Sequence, residues 1–343
     1  MSIFSRDMGI DLGTTNVIIY ASGKGIVLRE PSVVAVDKNT GKVLEVGTAA
    51  RNMLGRTPGN VVAIHPLRDG VISDYEMTAK MLTVFIRRII RFAIVRPRVI
   101  IGVPSGISEV EERAVIQAAM EAGARRVYLI EEPLAAALGA GLDITSPDGK
   151  LVVDIGGGTT DIGVITMNGI AQSASINVAG GAFDEAIVKY VRKHFGVVIG
   201  TPTAEEIKTS IGCVYARPEE LTMQVKGRDL KTGLAKEFTM SSTDVMEALK
   251  RPARQITDEI LEVLEQTSPE LVSDISANGI TLTGGSSQIW GLDKLLAERT
   301  EMQCSRADDA DSCVAYGCGK SLAWMNHMQE GTINLARKKL LQE

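Results

Sequence analysis

Cysteine and aromatic residues are scarce in this chain of 343 residues. Aromatic side chains make up 4% of it and hydrophobic residues 45%, so the core has to be mainly aliphatic. The four cysteines show no disulfide framework, and only Cys313 and Cys318 are close in sequence. Because the three histidines are also scattered, the pattern excludes a zinc site and a catalytic triad and predicts reduced thiols.

Long apolar runs and an excess of positive charge are also missing. No uncharged apolar stretch reaches the length of a membrane span, and the first residues, MSIFSRD, lack the apolar core of a signal peptide. We therefore expect a cytoplasmic protein. The chain has 42 acidic and 37 basic residues, a balance that gives no overall electrostatic reason to expect a nucleic acid as a partner.

Glycine and threonine occur together in two similar turns, each of which follows a predicted strand with an aspartate near its end. The first is in MGIDLGTTNVIIY, residues 8–20, and the second in VVDIGGGTTDIGVI, residues 152–165. Glycine permits left-handed backbone angles and close approach, so such a turn can direct several N–H groups and hydroxyls at one anion. Each turn alone is typical of an ordinary hairpin, but two in matched positions indicate a site that binds a polyphosphate from both sides.

The aspartates that precede the turns, Asp11 and Asp154, are suited to a metal ion. Carboxylates are preferred ligands of Mg2+, which keeps several waters when it binds beside phosphates. The sequence thus predicts a hydrated Mg2+ at Asp11 and Asp154 that neutralises the polyphosphate.

The order of predicted elements is repeated along the chain. Each half runs from a strand hairpin through further strands to a helix and contains a smaller insertion, which predicts an α/β protein with an internal duplication. Apolar residues at helical spacing predict a helix over 77–90. Capping boxes predict helix starts at Ser108 and Thr203, and Pro252 is expected to break or restart a later helix.

Several motifs resemble those of a known group of ATPases. DLGTTN, DIGGGTTD and GITLTGGSS are similar to the phosphate and adenosine motifs of the superfamily of actin, sugar kinases and heat-shock chaperone ATPases. LGRTPGNVVAIHPLRDGVISD, VPSGISEVEERAVIQAA and YLIEEPLAAALGAGL narrow the resemblance to the MreB/Mbl family of bacterial actin homologues, over nearly the whole chain.

The resemblance implies an actin-like ATPase fold, in which two related domains enclose a nucleotide cleft. Each domain is a mixed sheet with flanking helices and a smaller subdomain. Domain I, with subdomain IA, would comprise residues 1–140 and about 312–343, and subdomain IB would be inserted at about 32–74. Domain II, with subdomain IIA, would comprise residues 141–311, and subdomain IIB would be inserted at about 184–242.

The resemblance also implies ATP, or ADP after hydrolysis, and Mg2+ as ligands. The phosphates would lie between the two turns, and residues of the second half would bind ribose and adenine. The implied residues are Gly13, Thr14, Thr15, Asn16, Gly156, Gly157, Gly158, Thr159, Gly181, Glu205, Glu206, Lys208, Gly284, Gly285, Ser286 and Ser287.

One departure from the family pattern lies close to this site. Gly180, Gly181 and Ala182 stand where the family commonly has Gly-Gly-Asp before a helix. A contact that an acidic residue could make there is absent, and Asp184 is interpreted as a helix cap instead.

The two glutamates of LIEEP lie at a strand end where the superfamily places the residue that orients the attacking water. We assign this role to Glu132 and, second, to Glu131, and we include Asp11 and Asp154 in the catalytic set. A positioned carboxylate suits in-line attack of water on a γ-phosphate. The alternative is a solvated pair of carboxylates at the end of a strand.

The stretch IRRIIRFAIVRPRVI, residues 86–100, combines an apolar tip with arginines. Phe92, Ile94 and Val95 lie among these arginines, a pattern that suits an anionic bilayer surface. By resemblance this region faces the membrane together with the extreme N-terminus, which adds Ile3 and Phe4. The alternative is a packed helix end with solvated arginines.

We therefore predict a protein of the bacterial actin class that binds ATP, hydrolyses it slowly and polymerises, by resemblance as paired protofilaments. The filaments would lie on the inner face of the plasma membrane and organise cell-wall synthesis and rod shape with membrane-bound cell-wall synthesis proteins. One alternative is a sugar or acid kinase of the same superfamily, although its catalytic aspartate is not evident in the first domain. Another is a chaperone ATPase, which would need further length for a peptide-binding domain.

Overall fold

The computed structural model describes residues 7–55, 57–90 and 95–323. Short strands alternate with helices in its first half. The elements are, in chain order, β1 (Met8–Leu12), β2 (Asn16–Ala21), β3 (Gly25–Pro31), β4 (Val34–Asp37), β5 (Val43–Val46), α1 (Thr48–Arg51), β6 (Val61–Ile64), β7 (Leu67–Arg68), β8 (Val71–Ile72), α2 (Tyr75–Ile90), β9 (Arg98–Val103), α3 (Glu109–Glu121), β10 (Arg126–Glu131) and α4 (Glu132–Gly139).

Five strands of the first half form one mixed sheet in the order β10-β9-β1-β2-β3. β1, β2 and β3 pair antiparallel, whereas β1, β9 and β10 run parallel. Parallel neighbours require a crossover connection, and α3 provides the one between β9 and β10. Aliphatic residues of β1 and β2 pack with the buried stripe of α2, which includes Phe85. A smaller sheet of β5, β4 and β6 and a ribbon of β7 and β8 complete this half.

The second half has a similar sequence of elements. In chain order they are β11 (Lys150–Ile155), β12 (Thr160–Thr166), β13 (Gly169–Ile176), α5 (Gly180–His194), β14 (Val197–Val198), α6 (Thr201–Ile211), β15 (Thr222–Asp229), β16 (Ala235–Ser241), α7 (Ser242–Glu265), α8 (Pro269–Asn278), β17 (Ile280–Thr283), α9 (Leu292–Thr300), β18 (Cys304–Arg306) and α10 (Cys313–Ser321). Short 3-10 helices cover Gly285–Gln288 and Ala310–Ser312.

The second large sheet repeats the topology of the first. Its order is β18-β17-β11-β12-β13, with β11, β12 and β13 antiparallel and β11, β17 and β18 parallel. β1 and β11 are therefore equivalent central strands, and each leads into a glycine turn. The predicted α/β class and internal duplication are confirmed. The predicted bounds of the domains and subdomains stay predictions.

Helices α4 and α10 lie between the two large sheets. α4 follows the first sheet and packs on β11 and β12, whereas α10 follows the second sheet and packs on β1, β2 and β9. A side chain on Gly139 would collide with the backbone of Cys313, and one on Gly317 with the backbone of Ala135. These glycines thus let the two helix backbones approach closely and join the halves.

The predicted start of α6 is wrong. The helix begins at Thr201 after Gly200, so Thr203 lies inside it and forms no capping box. Pro202 occupies the first turn, where an N–H group would have no intrahelical partner and where the fixed φ of proline suits a helix. The Thr201-Pro202 pair therefore starts the helix three residues earlier than a cap at Thr203 would.

The predicted break at Pro252 is also wrong, because α7 continues through it. Leu249 and Ile256 are buried on either side of this proline, together with the rest of the apolar stripe of α7. Burial of that stripe outweighs the hydrogen bond that proline removes. The helix over 77–90 and the capping box at Ser108 are confirmed. None of the helices in the described ranges is both long and apolar enough to cross a bilayer.

Candidate functional site

The two glycine turns, which follow β1 and β11, face each other between the large sheets. A side chain on Gly157 would collide with the hydroxyl of Thr15, and one on Gly158 with the hydroxyl of Thr14. Only glycine permits this approach. The structure therefore brings the two predicted turns together, although they lie more than a hundred residues apart in the chain.

The first turn is fixed by hydrogen bonds from neighbouring loops. Ser32 Oγ donates to the carbonyl of Gly13 at 2.6 Å, and the N–H of Gly70 donates to Thr14 Oγ1 at 2.9 Å. The Thr14 hydroxyl accepts this bond, so its own hydrogen is still available for an anion. Asn16 is exposed at the start of β2.

The second turn is fixed by the N-terminus of α5 and by the turn after β17. The N–H of Gly180 donates to the carbonyl of Gly156 at 3.2 Å, and the N–H of Gly181 to the carbonyl of Gly157 at 2.7 Å. Ser286 Oγ also donates to the carbonyl of Gly156, at 2.7 Å. The predicted residues of these three segments thus form one continuous wall.

The glycine turn after β17 requires a residue with a positive φ. Gly284 has φ +83°, and a side chain there would collide with the backbone of Ile155. Ser287 is buried and donates to the carbonyl of Gly284 at 2.7 Å, whereas Gly285 is exposed. Thr159 is buried at the end of the second turn.

Lys208 of α6 lies against the same wall. Its Nζ donates to the carbonyl of Gly180 at 3.0 Å and pairs with Asp184 Oδ1 at 2.8 Å. The interpretation of Asp184 as a helix cap is wrong, because α5 starts after Ala179 and Asp184 lies inside the helix. Its carboxylate instead fixes the predicted ligand Lys208.

Glu205 connects the two halves across the site. Its Oε2 pairs with the Arg51 guanidinium of α1 at 2.6 Å. The predicted ribose ligand therefore has a cationic partner on the opposite side. Glu206, also predicted, has an exposed side chain one position further along α6.

Asp11 and Asp154 lie at the base of the two turns. Asp154 is buried, and its Oδ1 accepts a 2.6 Å hydrogen bond from Thr283 Oγ1 on β17. Burial, followed by the charge of Asp154, raises the pKa of Asp11 to about 8. Burial raises the pKa of Asp154 to about 7, against the lowering effect of the Thr283 hydrogen bond. Both carboxyl groups are therefore stabilised by a bound proton or by a nearby cation.

The two predicted glutamates are both buried, so the alternative of a solvated pair is wrong. Glu131 ends β10 and Glu132 begins α4. Burial, then the charges of Asp161, Asp11 and Asp154, raises the pKa of Glu132 well above its usual range. Glu132 therefore belongs to the acidic cluster beneath the turns.

Sequence reasoning missed Asp161, Thr283 and Arg51. A signal for Asp161 was available, because it ends the DIGGGTTD motif and pairs directly with Asp154 across the hairpin, which puts both side chains on one face. Thr283 reaches Asp154 through the parallel pairing of β11 with β17. The pairing of Arg51 with Glu205 depends on how the two halves are arranged, and a local sequence pattern does not encode that arrangement.

The polar atoms of the site fit a phosphate chain with a hydrated Mg2+. Asp161 Oδ2 is buried and has no hydrogen-bond partner among the described residues. Within the same ranges, no three or more His, Cys, Asp or Glu residues converge closely enough to coordinate a metal ion themselves. A buried carboxylate oxygen without a partner is suited to accept a hydrogen bond from water bound to a metal ion.

The buried aspartates lead to a prediction about stability. Both pKa values in the folded chain exceed the ordinary aspartate value of 3.8, so the folded state retains protons that the unfolded state releases. This stabilisation is complete below about pH 4 and is lost as the pH rises through 7 and 8. Without nucleotide and divalent metal, we expect the two groups together to lower the free energy of unfolding by on the order of 6 kcal/mol between pH 5 and pH 8.

Urea denaturation at several pH values in the presence of a chelator measures this slope. Asp154→Asn removes one of the titrating groups and is expected to flatten it. A wild-type stability that rises over this interval, or an unchanged slope in the variant, would contradict the assignment of the raised pKa to Asp154.

Most of the predicted membrane residues lie outside the described residues. These are Ile3, Phe4, Phe92 and Ile94. Val95 is half-buried.

Solved structures identify the class of this fold. The MreB5 protein of Spiroplasma citri bound to AMPPNP superposes with a TM-score of 0.90 at 39% identity and covers 94% of this chain and 97% of its own. The MamK double helical filament has a TM-score of 0.81 at 23% identity, over 93% of this chain and 99% of its own, and supports the fold alone. Two related sheets with facing glycine turns thus define an actin-like protein.

Sequence relatives identify the family. The model of the MreB/Mbl protein family matches residues 5–330. The cell shape-determining protein MreB of Escherichia coli K12 is 48% identical over 326 residues, which are 93% of this chain and 94% of that protein. The cell shape-determining protein Mbl of Bacillus subtilis 168 is 48% identical over 329 residues, 95% and 98% of the two chains. The chain belongs to the MreB/Mbl family, as its motifs indicated.

Proposed function

We propose that this protein binds ATP with Mg2+ between its two glycine turns, hydrolyses it slowly and assembles into filaments that determine cell shape. Membership of a family of cell shape-determining proteins supports a cytoskeletal role. The Spiroplasma relative was solved with AMPPNP and with ADP, which supports a nucleotide as ligand. The observation that carries the proposal is the contact of the two turns above the buried acidic cluster.

In the proposed complex the phosphates accept hydrogen bonds from the N–H groups and hydroxyls of both turns. Asp11 and Asp154 hold the Mg2+ through water, and the bound ion supplies charge neutralisation at the phosphates. Glu205 and Lys208 lie beside the second turn, where they would contact ribose and adenine. Glu132 accepts a hydrogen bond from the attacking water and orients it in line with the γ-phosphate.

Slow hydrolysis in this proposal changes the assembly state and serves no metabolic reaction. The fold is compatible with assembly, since MamK, which shares it, was solved as a double helical filament. We propose that the filaments consist of paired protofilaments and recruit membrane-bound cell-wall synthesis proteins.

Electron microscopy of the purified protein with Mg2+ and ATP, on anionic lipid monolayers, tests the proposal. Filaments that require nucleotide are expected, together with phosphate release in the absence of any sugar or acid acceptor. Phosphoryl transfer to an added acceptor without assembly would instead favour a kinase.

Membrane attachment rests on the sequence pattern at residues 92–95. Arg88, at the end of α2, pairs with Glu30 at 2.9 Å and lies over the Phe85 ring, so its charge is partly neutralised. Arg87 and Arg96 are exposed. An exposed arginine contributes about 1 kcal/mol at an anionic surface, and burial of an apolar side chain about 1.5 to 3 kcal/mol. One copy therefore binds weakly, whereas a filament repeats the patch and binds through many copies.

We predict that protein assembled with ATP sediments with anionic liposomes and that dilute monomer largely does not. Replacing Phe92, Ile94 and Val95 together by serine is expected to release filaments from the lipid without abolishing them. The matched control replaces Leu230 and Leu234, which are exposed in the second half, and should still sediment. If filaments of the triple variant coat liposomes as well as wild-type filaments do, these three side chains belong to the hydrophobic core and do not contact the lipid.

A further inference from the structure

The hairpin of β7 and β8 has a two-residue turn at its tip. Asp69 and Gly70 connect the strands, which pair antiparallel with Arg68 opposite Val71. Both tip residues have a positive φ, +51° for Asp69 and +76° for Gly70. Positive φ at both central residues is what a type I′ turn requires, and Asp-Gly is one of its preferred sequences. The local sequence therefore determines the shape of this tip.

The tip of the hairpin lies against both glycine turns. The N–H of Gly70 donates to Oγ1 of Thr14, in the first turn, at 2.9 Å. A Cβ atom on Gly70 would lie 2.8 Å from Cγ2 of Thr159, at the end of the second turn, and 2.7 Å from Cγ of Pro104. Carbon atoms in contact are about 3.5 to 4.0 Å apart. A side chain at Gly70 would therefore push the hairpin away from the site.

The position of the tip indicates which end of a bound nucleotide it meets. Pro104 follows Val103, and Val103 lies opposite Glu131 in the parallel pairing of β9 with β10. The tip is therefore on the side of the turns where Glu131 and Glu132 lie and where the attacking water is proposed. The residues proposed for ribose and adenine belong instead to α6 and to the turn after β17. The tip thus lies at the end of the site that is proposed for the γ-phosphate.

The base of the hairpin is fixed to the start of α2. The carbonyl of Pro66 accepts hydrogen bonds from the N–H groups of Ser73 and Asp74, both at 3.0 Å. Oδ1 of Asp74 accepts a further bond, also at 3.0 Å, from the N–H of Met77 in the first turn of α2. Because these bonds hold the base of the hairpin, they also fix the direction of the Gly70 N–H.

We propose that Gly70 is a positioning residue that makes the site prefer a nucleoside triphosphate to a diphosphate. Its N–H occupies a lone pair of the Thr14 hydroxyl and fixes that hydroxyl, which then donates its own hydrogen to the γ-phosphate. A donor fixed in advance needs no reorganisation to stabilise charge on a phosphoryl group. A diphosphate lacks this group and gains nothing from the bond. The inference rests on the proposed function, because it assigns Gly70 a role in binding the same nucleotide.

The test measures the dissociation constants of a fluorescent ATP analogue and of the matching ADP analogue. Their ratio is the preference for the triphosphate, and a general distortion of the site that weakens both analogues equally does not change it. Gly70→Ala is expected to lower this preference roughly tenfold, the effect of about one lost hydrogen bond.

Variants of Thr14 show whether Gly70 acts through the hydroxyl. Thr14→Val removes the hydroxyl and should lower the preference at least as much as Gly70→Ala, whereas Thr14→Ser keeps the hydroxyl and should retain the preference. In the Thr14→Val background, Gly70→Ala should lower the preference no further, because the two residues act through one bond.

Gly23→Ala is the matched control for a side chain at a positive φ. Gly23, in the turn between β2 and β3, has the same φ of +76°, but a Cβ atom there would meet no atom of the described part of the chain within 4 Å. This variant has a comparable backbone strain and should keep the wild-type preference. Thermal melting confirms that each variant folds. If Gly70→Ala does not fold, an ester in place of the Gly70 amide, made with glycolic acid, removes the N–H without adding a side chain.

Three results would overturn the inference. In the first, a folded Gly70 variant keeps the wild-type preference for the ATP analogue. In the second, Gly70→Ala lowers the preference by the same factor in the wild type and in Thr14→Val, which indicates an effect independent of the hydroxyl. In the third, the wild type binds both analogues equally. A wild-type protein that binds neither analogue would instead overturn the proposed function, and the wild-type measurement alone distinguishes that outcome.

Discussion

Replacing Asp154 by alanine is expected to remove Mg2+-dependent ATP hydrolysis. The Asp154 carboxyl is buried at the base of the second turn, and Thr283 fixes its direction. Its raised pKa means that a cation would replace a proton there. Because a bound metal contributes several kcal/mol to charge neutralisation in the transition state, we expect phosphate release to fall by about a hundredfold or more.

Phosphate release is measured as a function of Mg2+ concentration, with nucleotide binding followed separately. Thr283→Val should cause a smaller loss, roughly tenfold, since it removes only the hydroxyl that orients Asp154. Asp148→Ala, at an exposed aspartate shortly before β11, is the matched control and should retain wild-type turnover. Unchanged turnover in Asp154→Ala would refute the role of the two turns as a joint phosphate and metal site.

The parts of the fold that depend on local pattern could be predicted from the sequence. The hairpins around the two turns, the helix over 77–90 and the capping box at Ser108 each result from spacing within about 20 residues. The matched order of elements in the two halves also predicted an internal duplication, which the repeated sheet topology confirms.

The errors arose where tertiary packing decides the structure. Pro252 would break an isolated helix, but the buried face of α7 stabilises the helix on both sides of it. Asp184 occurs close to the start of α5 and resembles a cap in sequence, yet it pairs with Lys208 from another helix. The intrinsic conformational preference of a single residue is weaker than these tertiary contacts.

The same distinction applies to the candidate site. Its glycine turns and aspartates were visible as a repeated motif, because the hairpin geometry is local. The pairing of Arg51 with Glu205 and the bond from Thr283 to Asp154 depend on which strands and helices become neighbours. One sequence without its relatives does not reveal such neighbours. The acids that raise the pKa of Glu132 likewise come from both sheets.

Replacing Glu132 by alanine is expected to leave ATP binding intact and to slow phosphate release by about a hundredfold or more. This range is typical for the loss of a group that orients or activates the nucleophile. Glu132 does not belong to either turn, so its loss removes no predicted phosphate contact. Its carboxyl lies in the field of Asp161, Asp11 and Asp154, beside the place proposed for the metal and the water. Single-turnover hydrolysis and binding of a fluorescent ATP analogue separate the two effects.

Glu131→Ala provides the matched comparison, because the neighbouring glutamate is equally buried but ends β10 instead of beginning α4. We expect this variant to change hydrolysis much less than Glu132→Ala, with thermal melting used to confirm that both variants fold. If slow phosphate release with intact binding follows the loss of Glu131 and not of Glu132, the roles of the two residues are reversed. In that case Glu132 and the acids around it would act only on the metal ion. Glu131, at the end of β10, would orient the water.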